Sequence, residues 1–427
     1  MMHLSHLLPF ALVLPTLGVS TLPPLPTDTG VHVPLVRRER NAAARGDGVV
    51  DLNALLRMVN CTRAKYNYTS SADCTTMAPT GPSSRGSLER RQTQSNIDIT
   101  DQGPDDGYYA SIGIGTPTQT FNVLLDTGSA DLWVLTTQCT NCTQGLAQLD
   151  TNRSSSIRTS TNNVSFVYGQ GQAAGTVATD TVSLAGFTIS NQSFGAVTQI
   201  ADNILPSGVN FSGIMGLTPQ AAPNTVIGAT PFWQALLNGN QFSNPEFSIY
   251  LARNKQRATS ISDTNAGGSL TFGGRNETLF QGDVEFFPSA AGDTYWYQNV
   301  ASLTLNGKPI AINLSLAAMD TGSSFFFGPP DVVGDFWGQV PGSAAVGQGM
   351  YSYPCNATLN ATISFGGRSY PIKSNDFNVG TVGNGTGQCM GGLVSMETQP
   401  PGSSIPPWVI GDVFLKNVYT VYHASPR

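Results

Sequence analysis

The sequence predicts an all-β protein built from two duplicated lobes, and three observations carry that expectation. Short β-rich runs recur between Gly, Asn and Ser turns: "YYASIGIG", "TFNVLLD", "VSFVYG", "GTVATDTVSLAGFTI", "EFSIYLA", "GSLTFGG", "QNVASLTLNG", "AINLSLAAMD" and "NATISFGG". Helical signals are few after residue 91, the best being "PFWQALLNGNQF" and "PPDVVGDFW", so strands do not alternate with helices as a parallel α/β sheet requires. The tripeptide Asp-Thr-Gly occurs twice, opening at Asp126 and Asp320, and an apolar-apolar-Gly element follows each: Gly216 comes 90 residues after Asp126, Gly411 91 residues after Asp320. Lobes repeated in this way and packed about a pseudo-twofold axis bring the two aspartates together in a cleft.

The 427 residues suffice for two sizeable cores, and 40% hydrophobic with 11% charged residues is a globular composition. Residues 1–20 hold an apolar stretch from Leu7 to Leu17 followed by Gly18 and Ser20, the pattern of a signal peptide, although its first residues carry no Lys or Arg. A buried N-terminal helix is the other reading. No later segment has the roughly 18 consecutive apolar residues of a membrane span, and the tail "YTVYHASPR" offers no lipid-anchor signal. Secretion is expected, with an acidic vacuole or lysosome-like compartment as the alternative.

Charge divides the chain. Through Arg91 there are 10 Lys/Arg against 6 Asp/Glu, a balance of +4; from Gln92 there are 11 against 21, a balance of −10. The junction "GPSSRGSLERRQTQSN" is polar and ends its basic part in Arg90-Arg91, a dibasic processing site. Residues 21–91 are read as a removable prosegment, 92–285 as the N-terminal lobe and 286–427 as the C-terminal lobe.

Six cysteines, an even number, fit an oxidising compartment, and Cys139-Cys142 lacks the βαβ setting of a redox motif or the second CxxC of a zinc site. Glycosylation sequons stand at Asn141, Asn152, Asn163, Asn191, Asn210, Asn276, Asn313, Asn356, Asn360 and Asn384. After Arg91 the one histidine is His423, so Ser-His-Asp, Cys-His and His-based zinc chemistry have almost nothing to be built from. The −10 body repels phosphate, which argues against nucleic acid. Gly113 and Gly115 lack the context of a dinucleotide fingerprint, and no cofactor or metal is expected.

The wording "DTGSADLWV", its echo "MDTGSSFFFG" and the two apolar-apolar-Gly elements resemble the pepsin-like aspartic endopeptidases of fungal secreted type, over about residues 105–423. The resemblance implies a bilobal pepsin-like fold and a monomer acting on polypeptides held extended in the cleft. It makes Asp126 and Asp320 the catalytic pair, and Tyr168, with Gly169, part of a flap supported by Trp133. It makes Ile214-Met215-Gly216 and Val409-Ile410-Gly411 the elements threading beneath the two Asp-Thr-Gly loops, and it implies the disulfides Cys139-Cys142 and Cys355-Cys389.

The chemistry agrees with that pairing. Like charges about 3 Å apart cannot both stay ionised, so two carboxylates share one proton; one takes a proton from water while the other protonates the scissile carbonyl. Thr127 and Thr321 are expected to supply hydroxyl bonds behind the site, Gly128 and Gly322 close backbone approach, and Ser129 and Ser323 outer hydrogen bonds. Phe211, Ile214, Phe325 and Phe327 are candidates for lining subsites. A noncatalytic peptide- or glycan-binding protein on the same fold is the alternative, favoured by loss of either aspartate; both are present. A further departure is the ending "HASPR", where the family continues with a final strand that helps join the lobes; an unpaired sheet edge is expected there, with His423 at a commonly acidic position.

The segment "LLRMVNCTRAKYN" reads as a short basic amphipathic helix. The resemblance makes Lys65 the residue that enters the cleft and pairs with both aspartates, the prosegment thereby acting as the protein's own inhibitor; a solvent-facing lysine is the other reading. With Lys65 in place, both carboxylates are expected to have depressed pKa values.

Overall fold

The computed structural model describes residues 49–66, 68, 107–168, 171–202, 204–205, 209–219, 225–242, 244–253, 266–292, 294–313, 315–383, 385–398 and 405–424, together with the backbone of 31–37. The expected leader, Arg90-Arg91, Gly169 and Asn384 lie outside the described residues.

The first half of the chain runs β1 (Val31–Arg37), α1 (Leu52–Lys65), β2 (Tyr108–Ile114), β3 (Gln119–Asp126), β4 (Leu132–Leu135), β5 (Arg158–Tyr168), β6 (Gly171–Leu184), β7 (Phe187–Asp202), β8 (Gly213–Gly216), α2 (Phe232–Asn238), β9 (Glu246–Leu251) and β10 (Ala266–Phe272). The second half continues with β11 (Tyr297–Val300), β12 (Ser302–Leu305), β13 (Lys308–Ile310), β14 (Ser315–Met319), β15 (Phe326–Gly328), α3 (Pro330–Gly338), β16 (Ala344–Gly347), β17 (Met350–Pro354), β18 (Ala361–Ser364) and β19 (Ser369–Ile372). It closes with β20 (Asn378–Thr381), β21 (Gln388–Gly391), β22 (Leu393–Ser395), β23 (Trp408–Ile410), α4 (Asp412–Leu415) and β24 (Tyr419–His423). Two runs that read as continuous in sequence are each split. Ala185 and Gly186, at φ 50° and 89°, turn β6 back into β7, and Ala301 separates β11 from β12.

Duplication is visible in strand order. In the first half β3 pairs parallel with β8, β8 antiparallel with β4, and β4 parallel with β7. In the second, β14 pairs parallel with β23, β23 antiparallel with β15, and β15 parallel with β22. The first quartet lies in an eleven-stranded sheet of order β24-β9-β10-β1-β2-β3-β8-β4-β7-β6-β5; the second forms β11-β14-β23-β15-β22, beside two four-stranded sheets. The last strand does not stay with its own half: β24 pairs antiparallel with β9, His423 opposite Glu246, and is the outermost strand of that sheet among the described residues.

The segment expected to be a removable prosegment takes part in this frame. β1 inserts between β10 and β2. Helix α1 starts where Asp51 accepts the Ala54 N–H at 3.1 Å, and its last turn carries Arg63 and Lys65, the favourable sign for a helix C-terminus. Ala54, Leu55, Met58, Val59 and Thr62 are buried, a stripe at helical spacing. Leu55, Met58 and Val59 share a cluster with Phe325, Met350, Met390, Val394 and Met396 of the second half. Among the described residues no helix is long and apolar enough to cross a membrane.

The second lobe has its own aromatic centre. Trp337 of α3 is fully buried, with its ring 5.2 Å from Phe336 and 5.1 Å from Tyr353, and its Nε1–H donates to the Leu393 carbonyl at 2.9 Å. Trp337→Ala removes the packing, leaves a cavity and orphans that carbonyl. It should lower unfolding stability by about 3–5 kcal/mol, read as a lower denaturant midpoint; a midpoint within error of the parent would show that this lobe does not depend on the indole.

Candidate active site

Each Asp-Thr-Gly loop is fixed by the strand threading beneath it. Asp126 ends β3 opposite Gly216 of β8, and the Asp126 carbonyl accepts the Leu217 N–H at 2.8 Å. Asp320 follows β14, and its N–H donates to the Ile410 carbonyl at 3.0 Å. A side chain at Gly216 would run into the backbone of Ser129 and Ala130, and one at Gly411 into the Ser323 and Phe325 carbonyls, so both threading elements end in glycine because of close backbone approach.

The loops are tied by a reciprocal exchange. The Thr127 N–H donates to the Thr321 hydroxyl at 3.1 Å and the Thr321 N–H to the Thr127 hydroxyl at 3.0 Å. Each hydroxyl then donates across the junction, Thr127 to the Met319 carbonyl and Thr321 to the Leu125 carbonyl, both at 2.9 Å. Gly128 and Gly322 each give an N–H to the Oδ1 of their own loop's aspartate at 2.9 Å. A Cβ on Gly128 would strike the Asp320 carboxylate, and one on Gly322 the Asp126 carboxylate. Ser129 and Ser323 are buried beside the pair; among the described residues the Ser323 hydroxyl meets no partner at hydrogen-bonding geometry, while the Ser129 hydroxyl lies close enough to Asp126 to favour its ionised form.

Lys65 stands between the carboxylates. Its Nζ lies 2.9 and 3.2 Å from the Asp126 oxygens and 3.1 and 3.0 Å from those of Asp320, with the side chains of all three almost wholly buried. The next residue adds a bond that the sequence reading did not foresee: the Tyr66 hydroxyl donates to Asp320 Oδ2 at 3.0 Å. Burial opposes the Lys65 charge, but the attraction of Asp126 and Asp320 outweighs it and raises its pKa. The carboxylates move in opposite directions, which corrects the expectation that both are depressed. Burial raises both, and for Asp126 the Lys65 charge and several hydrogen bonds outweigh it, leaving its pKa below 3.8. Asp320 is pushed up to about 6, by burial first and then by the negative charge of Asp126, against the pull of Lys65. Two adjacent acids titrate as a pair, so one gives up its proton more readily at the expense of the other.

At the end of β5 the Tyr168 hydroxyl accepts the Trp133 Nε1–H at 3.0 Å, and Phe166 stacks on the same indole at 6.4 Å. Phe211, Ile214 and Phe325 line the space around the two aspartates, where α1 leaves a cavity of only about 50 Å³; Phe327 is packed in the core of the second half instead. Cys139 is joined to Cys142, and Cys355 to Cys389.

Two further buried groups near the cleft went unrecognised in the sequence. Asp131, five residues past Asp126, accepts the Thr225 hydroxyl at 2.9 Å and the Val226 N–H at 2.7 Å, tying that segment to the first Asp-Thr-Gly loop. Arg63 sends its guanidinium into the second half, to the carbonyls of Gln348 and Ser395. The acid ending "DTGSAD" and the basic pair Arg63/Lys65 were the available signals; neither names its distant partners.

Comparison with known proteins agrees with this architecture. The profile of the family described as eukaryotic aspartyl protease matches residues 107–426. Major aspartyl peptidase 1 of Cryptococcus neoformans var. grubii is 34% identical over 361 residues, covering 81% of this chain and 72% of that protein. An aspartic protease of Phaffia rhodozyma is 31% identical over 400 residues, covering 92% and 88%. Pepsin A of Rhinolophus ferrumequinum is 32% identical over 321 residues, covering 74% and 78%. A family profile matched over most of the chain, two duplicated strand quartets and a mostly β body lead to one conclusion: the chain belongs to the eukaryotic aspartyl protease family and is an aspartic endopeptidase of pepsin-like fold.

Proposed function

We propose that Asp126 and Asp320 form the catalytic dyad, sharing one proton and activating water to hydrolyse peptide bonds of extended polypeptides at acidic pH. The observation that carries this reading is the convergence of both carboxylates on one buried cation, Lys65 Nζ, at 2.9–3.2 Å. Groups that close can divide a single proton, one acting as base toward water and the other as acid toward the scissile carbonyl. Gly128 and Gly322 N–H groups orient the carboxylates, the Thr127–Thr321 exchange holds the loops in register, and Tyr168 closes over the peptide from the Trp133 side. No covalent acyl-enzyme and no metal enters the scheme.

In this reading the described state is the proprotein, with residues 21–91 as an internal inhibitor and Arg90-Arg91 as the processing site. The leader 1–20 and the sequons support secretion of a monomeric glycoprotein, or delivery to an acidic vacuole. The sequons differ in accessibility. Asn152, Asn163, Asn191, Asn210, Asn313, Asn356 and Asn360 are exposed, whereas Asn276 is half-buried. Asn141 is exposed but engaged: its Nδ2–H donates to the Ile200 carbonyl, its Oδ1 accepts the Ile200 N–H at 3.1 Å, and the Thr143 hydroxyl of the same sequon donates to the Leu205 carbonyl at 2.6 Å.

Three outcomes are expected. Asp126→Asn and Asp320→Asn should each lower peptide cleavage by about 10³-fold or more while the circular dichroism of the folded protein stays unchanged; near-normal turnover in either purified variant would sink the dyad. Peptide mapping after enzymatic deglycosylation in heavy-oxygen water should find Asn141 unmodified and label appearing among the seven exposed sites. For activation the sign follows from the shifts. As acid is added Asp320, raised to about 6, takes its proton first and Lys65 is left to Asp126. The contribution of the depressed Asp126 is present above 3.8 and is lost as pH falls through its lower folded value. Removing the cation removes what closes the cleft, so Lys65→Ala should begin self-processing at higher pH, followed on gels from pH 7 to 3; an unchanged onset would show that Lys65 is not the latch.

A further inference from the structure

Arg63 is a second buried cation of α1 beside Lys65, and its surroundings are built largely from backbone. The residue is 3% exposed. Its Nη2 donates to the Gln348 carbonyl at 2.9 Å and to the Ser395 carbonyl at 2.6 Å; Nη1 donates to Asn60 Oδ1 at 3.3 Å, and Glu397 Oε1 stands 4.0 Å from Nη1. The carbonyls come from two separate elements, the turn between β16 and β17 and the end of β22. The Ser395 N–H donates to the Gly349 carbonyl at 2.9 Å and so locks the two together. Gly349 sits at φ +74°, and a Cβ there would stand 2.8 Å from Arg63 Nη2 and 2.8 Å from Ser395 Cβ. A glycine is thus required both by its backbone and by the guanidinium above it.

Apart from Asn60, every acceptor here belongs to the second lobe and stays when the prosegment leaves. Met58 and Phe325 line the space around the aspartates and share an apolar cluster with Met350 and Met396, the residues that follow Gly349 and Ser395 in the chain, so this pocket adjoins the same cleft on its second-lobe side. A solvated lysine face or a simple packing role would not need two converging carbonyls and a glycine floor. The two carbonyls do not titrate, so their share of the pocket's hold on a cation persists in acid, where the Lys65 contact fails, while the Glu397 carboxylate is the one titratable part of the pocket.

We propose that the carbonyls of Gln348 and Ser395, with the Glu397 carboxylate, form a guanidinium-binding subsite, filled by Arg63 in the proprotein and by an arginine side chain of the polypeptide substrate afterwards. The proposal rests on the endopeptidase reading for its substrate. Arginine suits the pocket better than lysine because one Nη reaches both carbonyls while the planar group leaves further N–H donors for Glu397. Met350 and Met396, which follow Gly349 and Ser395 in the chain, belong to the second-lobe apolar cluster, a setting that suits the aliphatic stem of an arginine.

The test uses the processed enzyme and quenched peptides in which each of four positions on either side of the cleaved bond carries arginine, citrulline or norleucine in turn. One position should favour arginine about 10-fold in kcat/KM over the neutral residues, chiefly through KM, as expected of a charge-assisted bond. Glu397→Gln should reduce that preference about threefold, and Gly349→Ala should abolish it while the norleucine peptides are still cleaved. In parallel, a synthetic peptide of residues 52–66 and its Arg63→Ala form are titrated onto the processed enzyme, the substituted peptide binding about 10-fold more weakly. No arginine preference at any position, together with equal binding of the two peptides, overturns the subsite. Arginine-dependent binding of the 52–66 peptide by a protein that cleaves nothing would uphold the subsite and sink the dyad reading instead.

Discussion

Two carboxylates buried against one another are untenable without a compensating charge or a shared proton, and the described state resolves this with a single ammonium. Lys65 is within hydrogen-bonding reach of all four carboxylate oxygens. Removing water from a like-charged pair is costly, so the cation must arrive at a fixed place. Helix α1 provides that placement: an Asp51 cap at one end, an apolar stripe on the second lobe along its length, and Arg63, Lys65 and Tyr66 at the other end. The glycines at 128 and 322 and the threonine exchange serve the same constraint from below, by letting the two loops approach until their carboxylates meet at one ammonium.

The split between the carboxylates follows from burial and mutual repulsion within a nearly twofold arrangement. Both aspartates accept an N–H from the glycine two residues on, and both bond Lys65. Tyr66 donates to Asp320, which favours its ionised form, so the upward shift of Asp320 comes from its burial and the charge of Asp126 against that bond. What one acid gains in ionisation the other loses, which is why Asp126 is depressed while Asp320 is raised.

Much of the framework was legible in the sequence because it is local or repeated. Alternation and turn residues located the strands, and the spacing from Asp126 to Gly216 and from Asp320 to Gly411 pointed to two duplicated lobes. Lys65 was reached by resemblance; the sequence alone left it open between a latch and a surface residue. What stayed hidden depends on long-range pairing: β1 entering the middle of a sheet, β24 crossing to β9, the Asp131 tie to residues 225–226, and the two carbonyls that hold Arg63. Backbone carbonyls carry no sequence signature, so a site made of them is visible only once the chain is folded. The expected depression of both carboxylates failed for a related reason: electrostatic repulsion depends on a distance that no motif states.

The position of β1 has a consequence for the lifetime of the protein. It is hydrogen-bonded to β10 on one side and β2 on the other, in the interior of an eleven-stranded sheet. Processing at Arg90-Arg91 with release of the segment would leave two facing strand edges, to be closed by another stretch of chain or kept apart. Either way the released enzyme no longer contains the polypeptide around which its sheet was assembled. Such a molecule would be folded once, with its prosegment acting as a template, and would afterwards persist because unfolding is slow rather than because refolding is available. Denaturation would then be a one-way event for the mature form, even where the precursor recovers.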